Sequence, residues 1–246
     1  MRFVAVVLFA VMAVSAASAP ARADDFNPAQ KTAIDKMIHD YLLNHPEVLI
    51  EAVQAADDKM KADAQDKAQK ALAEKHKEVF DDPSSPTAGN PHGDVTMVEF
   101  FDYRCPYCKQ VEPSLEKVLA DDHHLRFVYK EFPVLGPVST TAARAALAAR
   151  KQGKYDAFHR AMMAAKGQIN DQTVMDVAGS VGLDIGQLQR DMASPEIDKT
   201  LKADLALADA LDISGTPAFI VGSTIIPGAV DLDALKQAIA DARKKG

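Results

Sequence analysis

The chain has 246 residues, 48% of them apolar and 26% charged, with a formal net charge of -7, two cysteines and no tryptophan. That length accommodates one medium domain plus an extra element, and a sizeable core. The composition excludes a collagen-like chain, a cysteine-dense disulfide scaffold and a wholly disordered polypeptide. Net acidity argues against a general nucleic-acid binder.

Arg2, the apolar run Phe3 to Val14 and the triplet Ala21-Arg22-Ala23 have the order of an export signal cleaved after Ala23. The apolar run is about a dozen residues, short of the roughly 20 that cross a bilayer as a helix. A soluble protein working in the periplasm, outside the reducing cytoplasm, is expected. Residues 24–80 read as a helical arm with a break near Asn44-His45-Pro46. Its apolar stripe is Ile34, Ile38, Tyr41, Leu42, Leu49, Val53 and Met60. From Lys59 to Glu78 the stretch is dominated by alanine and polar residues, helix-forming but poor in core residues. Such a segment is an exposed connecting helix or a coiled-coil arm carrying partner subunits. Residues 81–92, rich in Pro and Ser, read as a linker.

Residues 93–246 have a different texture. Val95 to Phe101 is a predicted central strand, followed by a helix from about Tyr107 to Leu119 and a second strand from Leu125 to Phe132. Residues 138–212 are predicted to be helical, with Asn170 and Asp184 as caps. A hairpin turning at Gly222-Ser223 and a last helix from Asp231 to Arg243 complete an α/β pattern.

The only cysteines are Cys105 and Cys108, separated by Pro106 and Tyr107. A bridge closing so small a loop adds little stability, so the pair points to chemistry. If Cys105 begins a helix, the unpaired N–H groups and positive dipole end favour its thiolate. Cys105 is then the attacking, exposed sulfur and Cys108 the resolving one, while Pro106 pre-sets the first turn. Two thiols are too few for a zinc site, and His123 and His124 have no evident coupling to them. Copper(I) on the two sulfurs is a conceivable side activity; no resident metal or cofactor is expected. Glu99, inside an apolar strand, is either a solvated strand-end carboxylate or a buried acid relaying protons to Cys108. In the second case Lys130, on the neighbouring strand, is its expected counter-charge. Tyr107 lines a substrate groove or covers the helix start. His159 reads as structural or surface.

Val98-Glu99-Phe100-Phe101-Asp102-Tyr103-Arg104-Cys105-Pro106-Tyr107-Cys108 and Ser214-Gly215-Thr216-Pro217-Ala218-Phe219 resemble the DsbA-like thiol:disulfide oxidoreductases. The resemblance covers about residues 92–246 and implies a thioredoxin fold with an inserted helical domain. With its N-terminal arm the chain is most similar to the ScsC group, the suppressor of copper sensitivity proteins, whose arms are associated with trimers and disulfide isomerisation. The resemblance further implies that Pro217 is cis and faces the cysteines, that Thr216 presents backbone groups to a bound polypeptide, and that Glu99 is the buried acid. The chain departs from the monomeric oxidases of the family in lacking a second cysteine pair and in carrying Tyr107 where they have His. The expected substrates are exported polypeptides with thiols or disulfides, with a membrane thiol reductase or oxidase as redox partner. The arm favours a homo-oligomer, suspected to be a trimer, working as isomerase or reductase. The alternatives are a monomeric dithiol oxidase and a copper-tolerance protein using the same thiols.

Overall fold

Asn27 starts the first helix. Its side chain accepts from the Gln30 N–H while Gln30 Oε1 accepts from the Asn27 N–H, both at 2.9 Å, and Pro28 takes the first helical position. The computed structural model describes residues 26–245, so the export-signal expectation for residues 1–23 lies outside it. α1 (Pro28–Asn44) and α2 (Pro46–Glu74) are separated by His45, a residue kept from helical geometry by the proline after it. The chain divides into two units between Lys59 and Met60. In the first unit no residue of α1 is buried. Met37, Ile38, Tyr41, Leu43, Leu49, Ile50 and Val53 are exposed, and Ile34, Leu42 and Val48 are half-buried.

The second unit starts earlier than the sequence suggests. The end of α2 and the short α3 (His76–Phe80) contribute Leu72, Val79 and Phe80 to a core shared with Val98, Phe100 and Val128. Few apolar residues lie here, but they fall at its end, where three suffice to dock it. The expected linker is also fixed in place. Thr87–Gly89 forms β1, and Arg126, Lys130 and Arg150 hold the backbone of Phe80, the side chain of Asp82 and the carbonyls of Pro83 and Ser84. Three residues are too few for a legible alternation. Gly89 is required there: it has φ +70°, and a Cβ would come 2.4 Å from the Leu125 carbonyl oxygen.

β2 (Val95–Phe101), β3 (Leu125–Glu131), β4 (Ala218–Val221) and β5 (Thr224–Pro227) complete a sheet of order β1-β3-β2-β4-β5. β2 and β3 are parallel, joined through α4 (Pro106–Asp121); all other pairs are antiparallel. β2 is central and covered on both faces, which explains its almost unbroken apolar run. Met97 and Phe101 face one core with α4, the inserted helices and α10 (Leu232–Lys245); Val98 and Phe100 face the other. The insertion is α5 (Pro137–Lys151), α6 (Tyr155–Ala164), α7 (Asp171–Ser180), α8 (Ile185–Met192) and α9 (Pro195–Ala210). Asn170 and Asp184 cap α7 and α8 through hydrogen bonds to the N–H groups of Thr173 and Gln187. This is a thioredoxin-like α/β fold with inserted helices and an N-terminal helical region, as the resemblance implies.

Candidate active site

Strand β2 delivers the chain to a turn where the Cys105 N–H donates to the Asp102 carbonyl at 3.0 Å. Asp102 fixes that turn with its carboxylate, accepting from the N–H of Arg104 at 2.8 Å and of Leu135 at 3.0 Å. Arg104 also donates to the Leu135 carbonyl. Cys105 is thereby placed as the N-cap of α4, with Pro106 in the first turn, where helix N–H groups lack intrahelical acceptors. Cys108 lies one turn on and is fully buried; Cys105 is buried as well, covered by its contact with the Thr216 segment instead of exposed as expected, and both thiols are free. Tyr107 is 60% exposed, so its ring does not cover the helix start.

Across from the pair, the Thr216–Pro217 bond is cis. The Cys105 thiol donates to the Thr216 carbonyl at 3.2 Å, joining two segments 111 residues apart in sequence. An open groove of about 470 Å³ runs past Thr216 and Pro217, lined also by Ala64, Gln65, Ile213 and Ile225. A polypeptide lying there would meet backbone groups beside the reactive sulfur.

Beneath the cysteines, Glu99 is completely buried and neither carboxylate oxygen has a hydrogen-bond partner. Burial pushes its pKa well above the ordinary carboxylate range, reinforced by Glu112, Cys105 and Glu131. Burial, with Glu99 next, also pushes the Cys108 thiol far up. A Cys108 thiolate is therefore costly in this buried setting beside Glu99.

Lys130 is not the partner of Glu99. In the parallel register Glu99 lies beside Tyr129, and Lys130 beside Phe100, so the lysine points through the opposite face of the sheet. There Lys130 Nζ meets Asp82 Oδ2 at 3.1 Å and Asp204 Oδ1 at 3.2 Å, the second contact not aligned as a hydrogen bond. The two carboxylates shift in opposite senses. For Asp82 burial raises the pKa but is outweighed by hydrogen bonds from Ser84 and the charge of Lys130, leaving it lowered. For Asp204 burial prevails over Lys130 and raises it to about 7.

On the Glu99 face sequence reasoning missed a buried polar cluster. Glu131 Oε1 accepts from Tyr155 at 2.9 Å and from Tyr103 at 3.3 Å. The Tyr103 hydroxyl is 3.1 Å from His159 Nδ1, and His159 Nε2 is 3.6 Å from Glu112 Oε1. His159 is wholly buried, which settles its reading away from the surface. The available signal was parity: Glu99, Tyr129 and Glu131 sit on one face of adjacent strands.

Residues 96–240 match the DSBA-like thioredoxin domain, and residues 30–62 match the N-terminal domain of the copper resistance protein ScsC. The structure is similar to a thioredoxin-like oxidoreductase from Silicibacter pomeroyi, with 48% identity and a TM-score of 0.67, over 68% of this chain and 97% of that one. It is also similar to Proteus mirabilis ScsC in a transitional conformation, with 33% identity and a TM-score of 0.67, over 90% of this chain and 100% of that one. Among curated proteins, a probable disulfide bond formation protein D of Bacillus anthracis is 26% identical over 185 residues, 70% of this chain and 84% of that one. The chain spans only 23% of the length of a Na(+)/H(+) antiporter NhaA 1 from Salinispora arenicola, to which it is 31% identical over 150 residues.

Proposed function

The chain belongs to the DSBA-like thioredoxin-domain family, and from that premise we propose that it carries out dithiol–disulfide exchange on exported polypeptides in the periplasm, running as a dithiol oxidant. The observation that carries the reading is the pairing of a completely buried Cys108 with a completely buried, unpartnered Glu99. In the oxidised protein a substrate thiolate attacks the Cys105 sulfur. The Cys105–Cys108 bond breaks, Cys108 takes the electron pair, and Glu99 gives it a proton. A second substrate thiolate then attacks the substrate sulfur of the mixed disulfide; the substrate disulfide forms and Cys105 leaves with the electron pair. Two electrons now rest on the dithiol, and a membrane thiol oxidase is the class of partner that would remove them. The sequence favoured isomerase or reductase; the likeness to a disulfide bond formation protein lends more support to oxidation. The test is single-turnover oxidation of a dithiol peptide by the oxidised protein. One peptide disulfide per protein is expected, and no peptide oxidation would overturn the reading.

A second reading, isomerase or reductase in a homo-oligomer, is supported by the exposed apolar side chains of residues 37–53 and by the arm's likeness to the ScsC N-terminal domain. Burying those side chains between copies, as a trimer, would hold several Cys105 groups near one substrate and raise their effective concentration. Light-scattering mass and refolding of a scrambled substrate test it; a monomer with no scrambled-substrate activity refutes it. Copper handling by the same thiols, supported by the name of that arm family, requires copper(I) affinity that disappears when both cysteines are replaced by serine.

A further inference from the structure

One wall of the groove at Thr216 and Pro217 comes from outside the thioredoxin-domain match of residues 96–240. Lys61, Ala64, Gln65, Ala68 and Gln69 of α2 line it, and steps of three and four place them on one face of that helix. Further along α2, Leu72 and Ala73 line a separate cleft with Val95, Thr96 and Gly222. β2 starts at Val95, and its other end leads to Cys105. The Lys61 end of this face therefore points toward the cysteines.

The wall is anchored. Ala68 and Leu72 are buried, and Leu72 shares a core with Ile213 and Ala218. Gln65 is exposed and Gln69 half-buried; among the described residues neither side-chain amide has a hydrogen-bond partner. Each amide offers donors and an acceptor, which suits the peptide groups of a chain of any sequence. The groove is otherwise largely apolar, with Ile213, Pro217, Ala218 and Ile225. Its charged residues, Lys61 and Asp212, have opposite signs, so it has no net charge with which to hold an ionic ligand. It is also continuous with the reacting centre, because the Thr216 carbonyl is 3.2 Å from the Cys105 sulfur. From Lys61 to Gln69 the helix rises about 12 Å, the length of about four residues of extended chain.

We propose that residues 61–69 of α2 are a specificity-determining wall of the substrate groove, where Gln65 and Gln69 bond the backbone of an extended, uncharged stretch of about four residues beside the substrate thiols. The inference rests on the exchange reading above and names its substrate class. Folded proteins keep most such apolar stretches inside, so the wall directs exchange to chains that have not yet folded.

The test is single-turnover oxidation, by the oxidised full chain, of dithiol peptides extended residue by residue with Ala and Val on either side of the thiols. On one side the second-order rate should rise by about tenfold as apolar surface is buried, and level off after about four residues. Asp or Lys at the added positions should cancel the gain, as should Gln65→Trp, which fills the groove. Lys70→Trp, on the opposite face of α2, should keep the gain. If Gln65→Trp does not fold, the mixed disulfide of Cys108→Ser with an activated peptide disulfide gives a second measurement. Benzoylphenylalanine placed beside the peptide cysteine should photocrosslink to residues 61–69. A rate independent of length, a gain that survives Asp, Lys or Gln65→Trp, or crosslinks that miss residues 61–69 would overturn the wall while leaving the exchange reading intact. Wild-type protein that oxidises none of the peptides would remove the exchange reading, and the wall with it.

Discussion

Asp204 provides the sharpest test of the electrostatics around the sheet. One lysine, Lys130, faces two carboxylates, Asp82 and Asp204, with Lys130 and Asp204 almost entirely buried. Asp82 alone balances the lysine, so a charge on Asp204 is surplus in a dry site, and its pKa stands at about 7 against an ordinary 3.8. The folded protein therefore binds a proton between those values that the unfolded chain has released. Stability rises with pH only where the unfolded state holds more protons, so this group has the opposite effect. Its contribution is complete below about pH 4 and is lost as pH climbs to about 7. A gap of about three pH units corresponds to roughly 4 kcal/mol. Asp204→Asn keeps the shape and removes the titration. Urea unfolding followed by circular dichroism, from pH 4 to pH 8 on both proteins, reads the effect as their difference, which includes the upward push that the Asp204 charge gives Glu131. The wild type should lose roughly 4 kcal/mol relative to Asp204→Asn across that range. A flat difference curve, or one rising with pH, would refute the assignment of a surplus buried charge.

Lys130→Met should be worse than Asp204→Asn at every pH, by about 3 kcal/mol or more, since it strands Asp82 beside Asp204; the same unfolding series measures it. Cys105→Ser should abolish exchange, whereas Cys108→Ser should accumulate mixed disulfides with substrate that mass spectrometry detects after acid quench. Glu99→Gln should slow the steps that protonate or deprotonate Cys108 by about a hundredfold in stopped-flow, with the fold intact by circular dichroism. Deleting residues 24–59 should leave a folded protein that still oxidises dithiols, and light scattering should find it monomeric. Extending the deletion through Phe80 strips Leu72, Val79 and Phe80 from the core. It should lower the unfolding midpoint sharply, since each large core side chain is worth about 2–5 kcal/mol.

Much of this protein is written locally. The bounds of β2, the caps Asn170 and Asp184, and the strand–Cys-Pro-Tyr-Cys–helix order depend on neighbouring residues, and they were legible because period, capping and turn chemistry act over a few positions. The arm's limit was not. The stretch before Phe80 looks solvated by composition, yet Leu72, Val79 and Phe80 dock it, a matter of what the sheet presents and not of the helix itself. Lys130 and Glu99 sit on adjacent strands as the sequence suggested, but the register of β2 against β3 sends them through opposite faces. His159 gives no local sign of burial; only the packing of α6 against the sheet and α4 brings it between Tyr103 and Glu112. Sequence alone determined which groups can do thiol chemistry and the order of the main helices and strands. Tertiary structure decided which buried charges meet, because strand register and helix docking are fixed by contacts between residues far apart in the chain.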